Sequence, residues 1–300
     1  MSYRENWKMY NKFQYSYKSY LKNPKQPFWV EQGLVTQSGT VVLFLSQLEQ
    51  QDHGVRIKSG IMRSSDNGST WADYEPLDGN FTGYPVATAV DGNTNYVLYD
   101  SAEGHVLYVS TENGRSWKKR STLSLQKDTW YGALTLMKDR GLLAGAYTEK
   151  DEQHFYYCIS TDQGQTWGEQ ERAYVDKRIR DPELAYLSGK YYLHGRSGQA
   201  VKGMGGGNRF VLYQSDDGIK WQDGIIVSGD TKYADGYSSN CIINQYNDDV
   251  PNELMVEYSI IYDGAEYDEV RSWDKGDRGS PGYQMDTNEY VFFIKPEPEK

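Results

Sequence analysis

Three observations predict an all-β chain built from repeated four-stranded units across these 300 residues. An eight-residue pattern recurs as SSDNGSTW (Ser64 to Trp71), STENGRSW (Ser110 to Trp117), STDQGQTW (Ser160 to Trp167) and QSDDGIKW (Gln214 to Trp221). Successive terminal tryptophans lie 46, 50 and 54 residues apart, a period that marks a propeller, a solenoid or an array. Between the copies, short runs alternate or concentrate Val, Ile, Leu and Tyr and are broken by Gly, Asn and Asp, as antiparallel strands are. Helical periodicity is scarce.

Each position of the pattern suits a tight turn between two strands. The short Ser and Asp side chains bond to nearby backbone N–H groups, and Gly supplies a positive φ. The Trp buries a large ring behind the next strand and pins the turn to the sheet. Glu112 replaces Asp in the second copy and Gln214 replaces Ser in the fourth, as a tolerant structural turn allows. These acids are read as structural, not as metal ligands or catalysts.

The pattern resembles the Asp box, S-x-D-x-G-x-T-W, of the sialidases and related carbohydrate-active β-propellers, over roughly residues 28 to 295. The resemblance implies a propeller of four-stranded blades. It identifies the scaffold better than the reaction, because the same box decorates hydrolases, lyases and binding proteins.

In the first blade, strands are predicted near 29–36, 40–47, 57–64 and 72–76, with the box joining the third to the fourth. Quartets follow near 84–90, 94–99, 105–110 and 118–122, and near 131–137, 142–147, 154–160 and 168–174. The fourth quartet runs near 183–187, 190–196, 209–214 and 222–227. The fifth unit has no box: Tyr237 to Gln245, Glu253 to Tyr262 and Glu289 to Lys295 supply three strands, and an N-terminal segment within 8–20 supplies the fourth. The expectation is a single propeller domain over 1–300, with the N-terminal segment closing the last blade. Five blades is the count, and six, the usual sialidase number, is the alternative.

A net charge of −10 and a pI near 5.0 oppose binding to nucleic acid or to an anionic membrane through general attraction. Cys158 and Cys241 match no ligand spacing and sit in apolar runs, which predicts two buried free thiols rather than a disulfide or a metal site. No cofactor is predicted. The N-terminal stretch lacks a signal-peptide core and no run is long enough to span a bilayer. The compartment stays open among the cell interior, a matured secreted form and a virus particle released by lysis, and the sequence names no oligomeric state. The 27 tyrosines and 8 tryptophans suit sugar binding, and propeller sheets also use aromatics between blades.

Antiparallel order locates a functional face. If the boxes mark one face, the loops joining strands two to three, and four to the next blade, lie on the other. Those loops are Leu48–Arg56, Asp100–Gly104, Thr148–Gln153, Ser197–Asn208 and Asp263–Asp286. The inner strands begin there, so Trp29, Tyr84, Tyr131, Glu183 and Tyr237 are expected around one cavity, suited to the apolar faces and hydroxyls of a sugar. The alternative is that these aromatics plug the central channel.

Three segments resemble sialidases beyond the boxes. In DHGVRIKSGIMRSSDNGSTW, the resemblance makes Asp52 the general acid/base. In DPELAYLSGKYYLHGRSG, it makes Glu183 the glutamate that assists the nucleophile and Arg196 an arginine that holds the substrate carboxylate, with Arg209 structural or peripheral. In GYSSNCIINQYNDDVPNELMVEYS, it makes Tyr237 the nucleophile, a role that sialidases give to Tyr; such a Tyr needs a carboxylate to take its proton. The family's Arg-x-Pro motif is replaced by KNPKQPFW, where Lys25 cannot form the bidentate fork, and the blade carrying the third clamp arginine is missing. Arg180 partly compensates. Separately, RDPELAYLSGKYYLHG is similar to five-bladed arabinanase-like glycosidases, which points to Asp181 and Glu183 as acids.

The resulting expectation is an exo-acting, sialidase-like glycoside hydrolase with specificity altered from sialic acid. Its alternatives are a carbohydrate-binding propeller on a virus particle or cell surface, and a polysaccharide lyase with Tyr237 as base. A carbohydrate is the expected ligand in each case.

Overall fold

The structure, a computed structural model, describes residues 7–15, 28–48, 56–77, 83–197, 209–227, 238–243, 251–260 and 287–295. Among these there is no helix. The described residues form twenty strands in five four-stranded antiparallel sheets, the blades of a β-propeller, five blades rather than the alternative six.

The first strand of the described residues is β1 (Trp7–Tyr15). Blade one comprises β2 (Phe28–Val35), β3 (Val41–Leu48), β4 (Arg56–Ser64) and β5 (Glu75–Pro76). Blade two is β6 (Tyr84–Asp91), β7 (Thr94–Ser101), β8 (Gly104–Ser110) and β9 (Lys118–Thr122). Blade three is β10 (Thr129–Leu136), β11 (Leu142–Thr148), β12 (Asp151–Ser160) and β13 (Glu171–Tyr174). Blade four is β14 (Arg180–Leu187), β15 (Lys190–Arg196), β16 (Phe210–Ser215) and β17 (Ile225–Ile226). Blade five is β18 (Ser238–Ile243), β19 (Glu253–Ile260) and β20 (Thr287–Ile294), with β1 added outside β20 in antiparallel register from Trp7 opposite Ile294 to Tyr15 opposite Thr287.

Internal contacts divide the chain into two compact units, Lys18–Thr148 with Tyr156–Arg172, and Met1–Tyr17 with Glu149–Phe155 and Ala173–Lys300. In the first, apolar faces of consecutive blades interlock. Leu34, Val42, Phe44 and Ile61 of blade one meet Val97, Tyr99, Val106 and Tyr108 of blade two. Val86, Leu98 and Leu107 likewise meet Leu134, Leu142 and Cys158. In the second unit, Phe210 of blade four stacks on Tyr258 of blade five with ring centroids 4.3 Å apart, among Leu212, Leu254, Val256 and Ile294. Each interface removes branched and aromatic side chains from water, the main favourable contribution to folding.

The repeated turns join third to fourth strands, and their side chains close the same rings. The Ser64 hydroxyl accepts the Gly68 N–H at 2.8 Å and donates to Asp66 Oδ1 at 2.7 Å, while Asp66 accepts the Thr70 N–H at 2.8 Å and hydroxyl at 2.6 Å. Ser160, Asp162, Gly164 and Thr166 repeat this pattern. The Thr70 and Thr166 hydroxyls are the main cause holding the Asp66 and Asp162 carboxyls down to about 2. Glu112, one methylene longer, accepts the Ser116 hydroxyl at 3.0 Å. The turns of blades two and three also tie each to its predecessor: Arg63 donates through Nε and Nη2 to the Gly114 carbonyl at 3.2 and 3.0 Å, and Ser121 donates to the Gly164 carbonyl at 2.5 Å.

The fourth turn corrects the sequence register. Its hydroxyl is Ser215, not a replacement at Gln214, and its carboxylate is Asp217, not Asp216. Ser215 Oγ donates to Asp217 Oδ1 at 2.9 Å and accepts the Gly218 N–H at 2.9 Å, and Asp217 Oδ1 accepts the N–H groups of Ile219 and Lys220. The other turns place two successive residues at positive φ, as Asn67 and Gly68 do at 57° and 83°, whereas this one has only Gly218, at 76°. It is one residue shorter, and Asp216 instead pairs with Lys190. Burial works against the charge of Asp217, but the bonds from Lys220, Ile219 and Ser215 outweigh it and lower its pKa. Asp217→Ala should therefore cost about 1 kcal/mol, the value of a lost capping carboxylate. Asp216→Ala should stay within about 0.5 kcal/mol, as for an exposed ion pair. Urea denaturation of the two variants checks the register, which equal effects would contradict.

Two further expectations change. The outer strands β5 and β17 shrink to two residues each, against 72–76 and 222–227 predicted, because an edge strand is paired on one side only and short edges resist pairing with other chains. Cys158 is buried as a free thiol, with its pKa pushed up to about 12 by burial, but Cys241 is exposed. The next residue in β18, Ile242, points to the opposite face and packs against the core, so one apolar run serves two faces.

Candidate functional site

Within each of the four blades that carry it, the repeated turn sits at one end of the sheet and the start of the innermost strand sits at the other. The inner strands of the four blades with such a turn share a device at that open end. Their pairing slips by one residue between Val30 and Gln32, between Pro85 and Ala87, between Trp130 and Ala133, and between Arg180 and Glu183. Such bulges bend a strand and re-aim a side chain. In two of them a non-glycine residue takes the left-handed conformation, Tyr131 at φ 55° and Asp181 at φ 49°.

In the first unit the structure brings Tyr84 and Tyr131 together. Their rings meet edge to face at 6.3 Å, and Tyr131 stacks on Tyr147 at 5.8 Å. Asp100, which the sequence placed only at the edge of a loop, organises them. Its Oδ2 accepts the Tyr84 hydroxyl at 3.1 Å and the Tyr131 N–H at 2.9 Å. His105, directly opposite Asp100 on the β7–β8 hairpin, bonds through Nε2 to the Tyr131 carbonyl. That acceptor fixes Nε2 as the protonated nitrogen. Burial raises the Asp100 pKa and lowers that of His105, while their mutual attraction opposes both shifts. Neither residue was singled out from the sequence; an Asp and a His flanking a tight hairpin at the predicted open end was the available signal. Trp29 lies in β2, and only its backbone is described.

In the second unit Arg180, Asp181 and Arg196 come together. Arg196 Nε bonds to the buried Asp181 carboxylate. Arg180 stands opposite Arg196 across the β14–β15 pair, and its Nη2 lies 3.4 Å from Glu149 Oε1. Glu149, a loop residue that sequence reasoning did not select, also pairs with Arg178. Arg209 is buried, its N–H bonded to Ser197 Oγ at 3.0 Å, in keeping with a structural role.

Glu183 is half-buried in β14, opposite His194 of β15. His194 is fully buried and reaches blade five: its Nε2 accepts from Asn240 Nδ2 at 2.9 Å, so its Nδ1–H donates to Ser238 Oγ, also at 2.9 Å. Asp52 and Tyr237 lie outside the described residues.

His194 gives a pH dependence. Burial lowers its pKa from 6.5 to about 3. Between those values the unfolded chain binds a proton that the folded chain does not, so stability falls as pH drops through 6.5 toward 3. The loss between pH 7 and pH 5 should be about 2 kcal/mol. His194→Asn should flatten the urea-derived stability profile by that amount, and an unchanged profile would contradict the assignment.

No protein-family model matches the chain, and no curated protein matches it in sequence. Solved structures do. A protein of unknown function from Dyadobacter fermentans superposes with a TM-score of 0.59 at 13% identity, over 88% of this chain and 75% of its own. A Hadza microbial sialidase gives a TM-score of 0.54 at 16% identity, over 77% of this chain and 53% of its own. An alpha-L-arabinofuranosidase (GH43) from Clostridium thermocellum gives 0.52 at 14% identity, over 85% of this chain and 86% of its own. At these identities the likeness is one of fold. This chain spans about half the length of the sialidase it matches.

Proposed function

We propose that this chain is a carbohydrate-active propeller of the Asp-box type, most simply a glycoside hydrolase with specificity altered from sialic acid. One observation carries the reading: at the end of each unit opposite the repeated turns, buried carboxylates hold aromatic or guanidinium groups at inner-strand bulges. Asp100 holds Tyr84 and Tyr131, and Asp181 holds Arg196. An aromatic surface with fixed polar groups suits a sugar. The fold likeness to a sialidase and an arabinofuranosidase agrees with it.

In this reading Glu183 removes the proton from the Tyr237 hydroxyl as its oxygen attacks the anomeric carbon. Asp52 protonates the departing glycosidic oxygen, so one C–O bond forms as the other breaks. Water then releases the sugar from the tyrosyl ether, with Asp52 taking its proton and Glu183 returning the first proton to the departing Tyr237 oxygen. The adjacency of β14 and β18 supports the Glu183–Tyr237 partnership. So does His194, which stands opposite Glu183 and bonds to Ser238, the residue after Tyr237. Arg196 and Arg180 anchor an acidic or hydroxylated substituent, with Asp181 setting the orientation of Arg196, and Trp29, Tyr84 and Tyr131 line the sugar site.

A specific observation favours a second reading, a binding propeller without turnover. Arg196 is engaged by Asp181, and Arg180 lies beside Glu149, so neither guanidinium resembles one arm of an unengaged carboxylate clamp. Incubation with chromogenic sialosides, uronides, arabinofuranosides and xylosides separates the two. Release of the chromophore from at least one supports the hydrolase, whereas saturable binding of sugars without any release supports the binder.

A further inference from the structure

We infer that Asp100 and His105 are positioning residues that hold Tyr131 in a strained conformation, so that Tyr131, Tyr84 and Trp130 form a stacking subsite for the apolar face of a sugar ring. The ligand class rests on the carbohydrate reading above; the positioning device rests on geometry within one unit.

The strain is local and specific. Tyr131 takes φ 55°, a conformation in which an L side chain crowds its own backbone and which glycine adopts freely. Such residues persist only where their surroundings over-determine them, and they gather at ligand clamps. Here both backbone polar groups of the strained residue are held by one buried pair. Asp100 Oδ2 accepts the N–H at 2.9 Å, and the His105 Nε2–H donates to the carbonyl. Asp100 and His105 are only 8% and 2% exposed, and burying two ionisable groups opposes folding unless they are well bonded. Their bonds converge on Tyr131 and, through the same carboxylate oxygen, on the Tyr84 hydroxyl.

Neighbouring residues are shaped to fit. A Cβ on Gly132 would stand 2.9 Å from Val86 Cγ2 and 3.2 Å from His105 Cδ2, so the bulge packs against blade two without a side chain there. A Cβ on Gly83, the residue before Tyr84, would run into the Asp100 carbonyl. The product is an aromatic group with a rigid back. Tyr147 is buried and stacks behind Tyr131, Tyr84 meets it edge-on, and Trp130, in the same bulge, is 49% exposed. Trp130 precedes Tyr131 in the chain and offers an exposed indole face; a sugar ring stacked on it, with its hydroxyls directed to water and to the tyrosines, would use the exposed ring and the held tyrosines together.

The test uses the full chain, with xylo-, arabino- and galacto-oligosaccharides and sialyllactose as probes in calorimetric titration. Trp130→Ala should fold as the parent does and weaken binding about tenfold or more, as loss of a central aromatic anchor does. If turnover is present, the loss should appear in KM rather than kcat. His105→Leu should weaken binding similarly, whereas His105→Gln, whose amide can still donate to the Tyr131 carbonyl, should restore most of it. Tyr131→Gly should unfold at a higher urea midpoint than Tyr131→Ala, the reverse of the usual order in a strand.

Undiminished binding by folded Trp130→Ala would overturn the subsite and leave the carbohydrate reading standing. Ala above Gly at position 131 would overturn the strain. If the parent binds none of the probes, the subsite and the proposed function both fail. Binding without cleavage, lost in Trp130→Ala, would uphold the subsite and refute the hydrolase alone.

Discussion

Gly164→Ala is expected to destabilise the protein by about 3 kcal/mol, combining a left-handed backbone penalty with overpacking between blades. Gly164 has φ 76°, and a Cβ there would run into Leu107 Cδ2 of the preceding blade, with Leu142 Cδ1 at 3.2 Å behind it. Gly189 provides the control, because it has φ 85° and nothing within 4 Å of the added carbon. Gly189→Ala should cost only the backbone part, about 1 kcal/mol. Gly114→Ala should fall between them, since its Cβ would stand 3.0 Å from Val42 Cγ2. Urea titration of the three variants measures the difference. Equal losses at 164 and 189 would mean that the turn glycine answers only to its own backbone and does not fasten one blade to the next.

The second large effect is on chemistry. On the proposed mechanism, Tyr237→Phe removes the nucleophilic oxygen and Asp52→Ala removes the proton donor to the leaving group. Each should lower kcat by about a thousandfold or more with the thermal midpoint unchanged. Glu183→Gln should fall between these and the parent, since it removes the proton acceptor and leaves the nucleophile. Initial rates on the best chromogenic substrate decide the point: full turnover in Tyr237→Phe would remove that residue from the mechanism and move attention to Asp181 and Glu183 as an acid pair.

How much of this was legible in the sequence depended on the range of the signal. The strands of blades one to four followed from local alternation and from the spacing of the repeated turns, and the predicted starts at 84, 94, 118, 142 and 190 coincide with those of β6, β7, β9, β11 and β15. The fourth turn misled because its Gly and Trp aligned well while its hydroxyl and carboxylate are one place later; with one fewer left-handed residue, Ser215 can still reach the Gly218 N–H. A pattern of residue types does not show which oxygen meets which N–H.

The aromatic pair of the open end, Tyr84 and Tyr131, was visible as the first residues of two predicted inner strands, near 84–90 and 131–137. The groups that hold them were not, because Asp100 and His105 act through pairing across a hairpin and through contact with a different blade. The same holds for His194, whose partners Ser238 and Asn240 lie 44 and 46 residues away. Bulges are equally hard to read: Tyr131 in WYGAL is a residue type that an ordinary extended strand accepts, and Asp181 in RDPEL, although Asp is enriched at positive φ, precedes Pro182, which favours extended backbone.

The most direct measurement is the anomeric configuration of the first product, followed by proton NMR during cleavage of an oligosaccharide or of the best chromogenic glycoside. A tyrosyl nucleophile acting through a covalent intermediate predicts that the released sugar keeps the configuration of the substrate. An inverted product would contradict a nucleophilic Tyr237 and point to a carboxylate pair activating water. An unsaturated product would mean a lyase, and no product from any glycan would contradict the hydrolase outright.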